Sequence, residues 1–182
     1  MKNYLLAIKR ITLFVAALIV VSSAIAQSSS KVRKLKVDSK KAKAEFIKAD
    51  PLMNSLFSTA YGYVIFPNIG KGGLGVGGAA GNGIAYQNGV TVGSASMKQL
   101  TIGFQAGGQA YREVIFFETK SDLDRFKGNN FELSAQASAV AVTAGVSATI
   151  KYKEGVMIFT QAKGGLMYEA SVGGQKFDYK SF

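Results

Sequence analysis

Residues 70–83 read GKGGLGVGGAAGNG, with eight glycines in fourteen positions. Glycine loses more backbone freedom on folding than any other residue, so each one carries an entropic cost. A chain that gathers them directly after the apolar run Tyr63–Phe66 needs bare backbone at that place. Counting by twos shows how the bareness is arranged. Positions 73, 75, 77, 79, 81, 83 and 85 are Gly, Gly, Gly, Ala, Gly, Gly and Ala, while Leu74, Val76, Ile84 and Tyr86 stand between them. Strand side chains alternate between two faces. The stretch is therefore a strand with one face stripped, and such positions mark a bend or a close approach by another backbone or a ligand. Gly73, Gly75, Gly77, Gly81 and Gly83 form this close-approach face. Two uses remain open for it: tight packing at a helix or sheet corner, and a groove for a lipid chain or a partner.

A phosphate cradle is the competing explanation. Gly73, Gly75 and Gly78 match G-x-G-x-x-G, but a dinucleotide site needs a helix opening at the glycines and an acidic residue about 20 positions on. Here the glycines run into more strand pattern, and no acid follows Asp50 until Glu113. A Walker loop needs Gly-Lys-Ser/Thr, whereas Lys71 is followed by Gly72.

The same bareness sits in a β-rich setting. Asn88-Gly89 lies between two strand-like runs, the strongest short hairpin signal, because both central residues of a type I′ turn need positive φ. Pro67 is expected to stop the strand that begins near Tyr61. "LTIGFQAGGQAYREVIFFE" continues as one long strand or two, bent at Gly107-Gly108. Residues 121–129 predict a short helix, capped by Ser121 and ended by Gly128. The last part reads as further strands with turns at Gly155, Gly164-Gly165 and Gly173-Gly174. Ahead of the sheet, residues 40–49 favour helix, and Asp50-Pro51 opens a second short helix near 51–59. The fold class is α+β and β-rich: a curled or barrel-like antiparallel sheet of six to eight strands, two N-terminal helices and one short inserted helix.

The chain begins with Lys2, Lys9 and Arg10, an apolar run from Ile11 to Val21, and Ala24-Ile25-Ala26. That is the layout of a secretory signal peptide cleaved after Ala26, which implies an exported, periplasmic or envelope-associated protein. The division expected is a leader at 1–26, a basic and partly disordered segment at 27–39, and one domain at 40–182.

The net charge of +11 is unevenly spread. Residues 31–48 hold eight Lys/Arg against Asp38 and Glu45, and residues 49–182 hold eleven against nine acids. Basic character therefore belongs to the front of an otherwise balanced chain, pointing to an anionic partner. Lys31, Arg33, Lys34, Lys36, Lys40, Lys41, Lys43 and Lys48, with Lys71, are the candidate lipid contacts. Each Lys or Arg near an anionic surface contributes about 1 kcal/mol, so a net six contribute at most about 6 kcal/mol. Phe46, Ile47, Leu52 and Phe57 either add burial in the lipid interface or pack on the sheet. Export argues against nucleic acid as the partner.

Catalytic chemistry is sparse. The chain has no His, Cys or Trp, which removes Ser-His-Asp triads, Cys-His pairs and His/Cys metal sites. Asp122-x-Asp124 starts like a calcium loop, but Phe126 occupies the fifth position, and no cofactor is expected. An outer-membrane barrel fares poorly as well. Counting back by twos from Phe182 meets Lys180, Asp178 and Lys176 where lipid-facing residues belong.

"AYGYVIFPNIGKGGLGVGGAAGNG" followed by "TIGFQAGGQAYREVIFF" resembles the SYLF lipid-binding domain family, over roughly residues 40–182. The resemblance implies a non-enzymatic domain that binds anionic lipid headgroups, phosphoinositides in eukaryotic members, through basic and amphipathic residues at its N-terminal edge. Eukaryotic relatives also contact actin, which an exported protein would not meet. The alternative is an envelope structural or carrier protein that holds an apolar ligand, or another envelope protein, against the glycine face.

Overall fold

A computed structural model describes residues 29–103, 109–129, 131–134, 137–163 and 170–182. Leu35–Phe182 form one compact unit, and residues 29–34 belong to a separate one. The leader lies outside the described residues. Helix α1 covers residues 29–49, α2 Met53–Thr59 and α3 Lys120–Lys127. The strands are β1 (Gly62–Gln87), β2 (Val90–Gly103), β3 (Gln109–Phe117), β4 (Ser138–Ala141), β5 (Val156–Ala162), β6 (Ala170–Ser171) and β7 (Lys176–Ser181).

They make a seven-stranded sheet in the order β6-β4-β5-β3-β1-β2-β7. Its pairs are antiparallel except β4 with β5, so the α+β sheet is mixed. β1 is the spine. Its first part, Gly62–Lys71, pairs with β3, and its second, Gly75–Gln87, pairs with β2. The terminal strands β6 and β7 are joined by Val172–Gln175 alone. Seven flat strands about 4.8 Å apart would hold the edges about 29 Å from each other. Five Cα steps from Ser171 to Lys176 reach at most about 18 Å. The sheet therefore curls, yet it is not closed into a barrel.

Curling explains the glycines. A Cβ on Gly83 would stand 2.7 Å from the Ile65 carbonyl oxygen, and one on Gly81 would stand 2.7 Å from Ile69 Cγ1 and 2.9 Å from the Asn68 oxygen. The second half of β1 thus crosses its own first half, and any side chain would hold the two apart. At Gly81 and Gly83 the close approach is by the protein's own backbone, not by a ligand. Farther along, Gly75 pairs with Gly103 and Gly77 with Thr101, and Gly73 has φ 153°.

Pro67 does not stop the strand as expected. β1 runs through it, with the register against β3 shifting between Phe66 and Ile69. A bulge has no ladder bond for the missing N–H to break. The Asn88-Gly89 turn is present, with φ 50° and 78°. The cap of α3 lies two residues earlier than Ser121. Thr119 accepts from the Asp122 N–H at 3.3 Å, while its own N–H donates to the Asp122 carboxylate at 3.1 Å, a reciprocal box. The expected bend at Gly107-Gly108 and turn at Gly164-Gly165 lie outside the described residues.

Each sheet face carries its own core. One gathers Tyr63, Ile65, Ile84, Val114, Phe116 and Phe159 beneath Phe46 of α1 and Met53 and Phe57 of α2. The other gathers Val64, Phe66, Ile115, Phe117 and Phe177 against Leu123 and Phe126 of α3, with Phe131 and Leu133.

Candidate functional site

The segment expected to be partly disordered, residues 27–39, is helical from residue 29 onward. The reason is legible in its spacing. Leu35, Ser39, Ala42 and Phe46 recur at i, i+4, i+7 and i+11, one stripe of a helix. Ser39, Ala42 and Phe46 are buried against the sheet. Polar contacts fix the helix further. Glu45 faces Arg112 of β3 at 4.0 Å, and Arg112 donates to Gln161 of β5 at 2.9 Å. At the C-terminal end the buried Asp50 carboxylate accepts from the backbone N–H of Leu52 at 3.1 Å and of Ser147 at 2.9 Å.

With one stripe clamped, the opposite stripe is set. Val37, Lys40, Lys41, Ala44 and Lys48 are exposed. The lysines span about 12 Å along the axis at 1.5 Å per residue. None of the three is ion-paired with a described residue. Lys31, Arg33 and Lys34, in the preceding unit, are exposed as well.

The other candidates part company with this face. Lys43 turns inward, its ammonium 4.7 Å above the Phe57 ring, 5.4 Å above the Tyr63 ring and 3.4 Å from the Tyr63 hydroxyl. Burial pulls its pKa down. Lys36 lies 3.9 Å above the Phe182 ring, a cation–π contact. Lys71 stands on β1 opposite Gln109, half-buried. Of the four apolar candidates, Phe46 and Phe57 are buried in the core, Ile47 is half-buried and Leu52 is exposed.

The opposite sheet face hides a polar cluster. Glu113 of β3 is fully buried, one oxygen accepting from Gln175 at 3.0 Å and the other meeting no described partner. Thr160, also buried, is its cross-strand neighbour on β5. Burial pushes the Glu113 carboxyl up to about 7, against the opposing effect of the Gln175 hydrogen bond. The neighbouring Tyr111 phenol is raised by burial and by Glu113. Glu118, at the other end of "VIFF", is exposed. Among the described residues no group of three potential metal ligands occurs, and no helix is long and apolar enough to cross a membrane.

Residues 98–180 match the family model of Ysc84, described as Las17-binding protein actin regulator. That part of the chain is similar to the Ysc84 family. The match runs from β2 to β7 and takes in the second of the two stretches that carry the SYLF resemblance. Beta cell expansion factor A of Aeromonas veronii is 33% identical over 129 residues, 70% of this chain. The chain spans about half the length of that relative, 49%. The Ysc84 family is one of binding domains, associated with lipids and partner proteins.

Sequence reasoning did not single out the outward stripe of α1 from its eight basic residues, nor Glu113 as a core group. The stripe was recoverable from the Leu35-Ser39-Ala42-Phe46 spacing. Glu113 shares a strand face with Tyr111, Ile115 and Phe117, but Val114 and Phe116 make the other face equally apolar.

Proposed function

We propose that this protein is a Ysc84-like, non-enzymatic module that docks on anionic phospholipid through the outward face of α1. The observation that carries the reading is the free lysine face, Lys40, Lys41 and Lys48, held outward by a buried stripe. The clamped helix backbone is already ordered before it meets a surface, and no ion pair of these three lysines with a described residue has to be broken. At about 1 kcal/mol each, three lysines contribute about 3 kcal/mol, roughly a hundredfold in partitioning. Lys31, Arg33 and Lys34 raise the ceiling to about 6 kcal/mol, and salt screening over about 10 Å at 0.1 M lowers it. Val37 and Leu52 supply exposed apolar surface for shallow burial in the interface.

We further propose that the segment ending at Ala26 is a cleaved leader, so that the anionic lipids within reach are envelope phospholipids. A partner protein of the envelope could use the same charged face. The carrier alternative loses support at Gly81 and Gly83, where the protein's own chain fills the space.

Flotation with phosphatidylglycerol vesicles and with phosphatidylcholine vesicles tests the reading. Co-flotation with the first only is expected. The variant Lys40→Gln/Lys41→Gln/Lys48→Gln should lose roughly a hundredfold in binding. Equal flotation with both vesicle types would overturn the reading.

A further inference from the structure

A cavity opens where β4 and β5 part. The two strands pair only at Val140↔Phe159 and Ala141↔Thr160. Beside those pairs, residues 131–134, 137 and 138 line, with β5 and residues 149–154, an open cavity of about 610 Å³. Sites for small organic ligands run from about 300 to 1,000 Å³. Leu133, Val140, Ile150, Met157 and Ile158 give it apolar walls. Met157 and Ile158 are consecutive strand residues that point to opposite sheet faces, so the cavity reaches around the edge of β5.

Its charge is sorted. Glu132 is taken up by Lys176 at 3.5 Å. Arg125 donates to the Glu154 carbonyl at 2.7 Å and faces Asp122 at 3.6 Å. Lys151 and Lys153 remain at the lining, exposed and ion-paired with no described residue, against Glu154 alone. An apolar chamber with one net positive charge at its mouth suits one apolar chain that ends in one negative charge.

We infer that this cavity binds a single-chain carboxylate amphiphile, a fatty acid, with the alkyl chain between β4 and β5 and the carboxylate at Lys151 and Lys153. The site is independent of the α1 lysine face.

Calorimetric titration of the purified protein with octanoate, decanoate and dodecanoate, each below its micelle concentration, is the test. Affinity should rise about fourfold per added methylene while the chain stays inside the cavity. Dodecanol should bind at least tenfold more weakly than dodecanoate. Lys151→Glu/Lys153→Glu, at exposed positions, should remove that preference. Ile150→Trp should abolish binding by filling the chamber. Ser138→Trp, at an exposed position on β4, fills it from the other side and decides the matter if Ile150→Trp does not fold. Lys40→Gln/Lys41→Gln/Lys48→Gln should bind dodecanoate as the parent does, whatever its behaviour on vesicles. Equal affinity for dodecanoate and dodecanol, or unchanged binding by a folded tryptophan variant, would overturn the assignment.

Discussion

Replacing Glu113 with Gln should make the protein more stable above neutral pH and leave it little changed in acid. Glu113 is a fully buried carboxyl with one oxygen bonded to Gln175 and the other facing no described partner. Burial disfavours its charged form and raises the folded-state pKa from 4.5 to about 7. Below pH 4.5 the group is protonated whether the chain is folded or not. Between pH 4.5 and 7 the unfolded chain releases the proton while the folded protein keeps it, so stability falls as pH rises. Above about pH 7 both states are ionised and the loss is complete. A gap of about 2.5 units at 1.36 kcal/mol per unit makes that loss about 3 kcal/mol. Gln at 113 has no proton to release and keeps an oxygen for Gln175. All other titrating groups are shared, so the difference between the two proteins isolates this one. Urea unfolding at pH 4.5, 6, 7 and 8 is the assay. The advantage of Glu113→Gln should grow from near zero to about 3 kcal/mol across the series at constant m-value. Parallel pH profiles, or a Gln variant that is weaker at pH 8, would refute the reasoning.

Three further substitutions probe the scaffold. Phe46→Ala removes the deepest side chain joining α1 to the sheet and should cost about 3–5 kcal/mol in urea unfolding. Gly83→Ala drives a methyl group against the Ile65 carbonyl, and should cost about 1–3 kcal/mol because backbone must move to admit it; thermal melts check this. Asp50→Ala leaves the N–H groups of Leu52 and Ser147 without their acceptor, and should cost about 1–3 kcal/mol with faster hydrogen exchange at Ser147.

Much of the fold was readable because short-range rules govern it. The Asn88-Gly89 hairpin follows from turn chemistry, and the stripped face of β1 follows from period-two counting. The short helix at Lys120–Lys127 was legible, but its cap was misplaced, because Ser121 and Thr119 are both competent and only the Asp122 carboxylate chooses between them. Pro67 misled because a bulge is set by strand pairing, which a local window does not contain. The early start of α1 was obscured by its lysines, whose charge suggests a loose segment until the sheet supplies a partner for Leu35, Ser39, Ala42 and Phe46. The candidate lipid residues were recognised as a charge cluster, but composition does not say which way a side chain turns. Lys43 and Lys36 settle on aromatic rings that are close only in the folded chain. The cavity between β4 and β5 left no local signal, because it arises where two strands distant in sequence separate.

Vesicle partitioning as a function of lipid charge and salt tests the central claim most directly. The purified protein is titrated with vesicles of rising phosphatidylglycerol fraction at 0.05 M and 0.5 M salt, beside Lys40→Gln/Lys41→Gln/Lys48→Gln. The predicted result is binding that climbs with anionic fraction, weakens at high salt, and drops roughly a hundredfold in the triple variant at low salt. Partitioning that is indifferent to lipid charge, or identical in the parent and the variant, would contradict the assignment of α1 as the lipid-docking face.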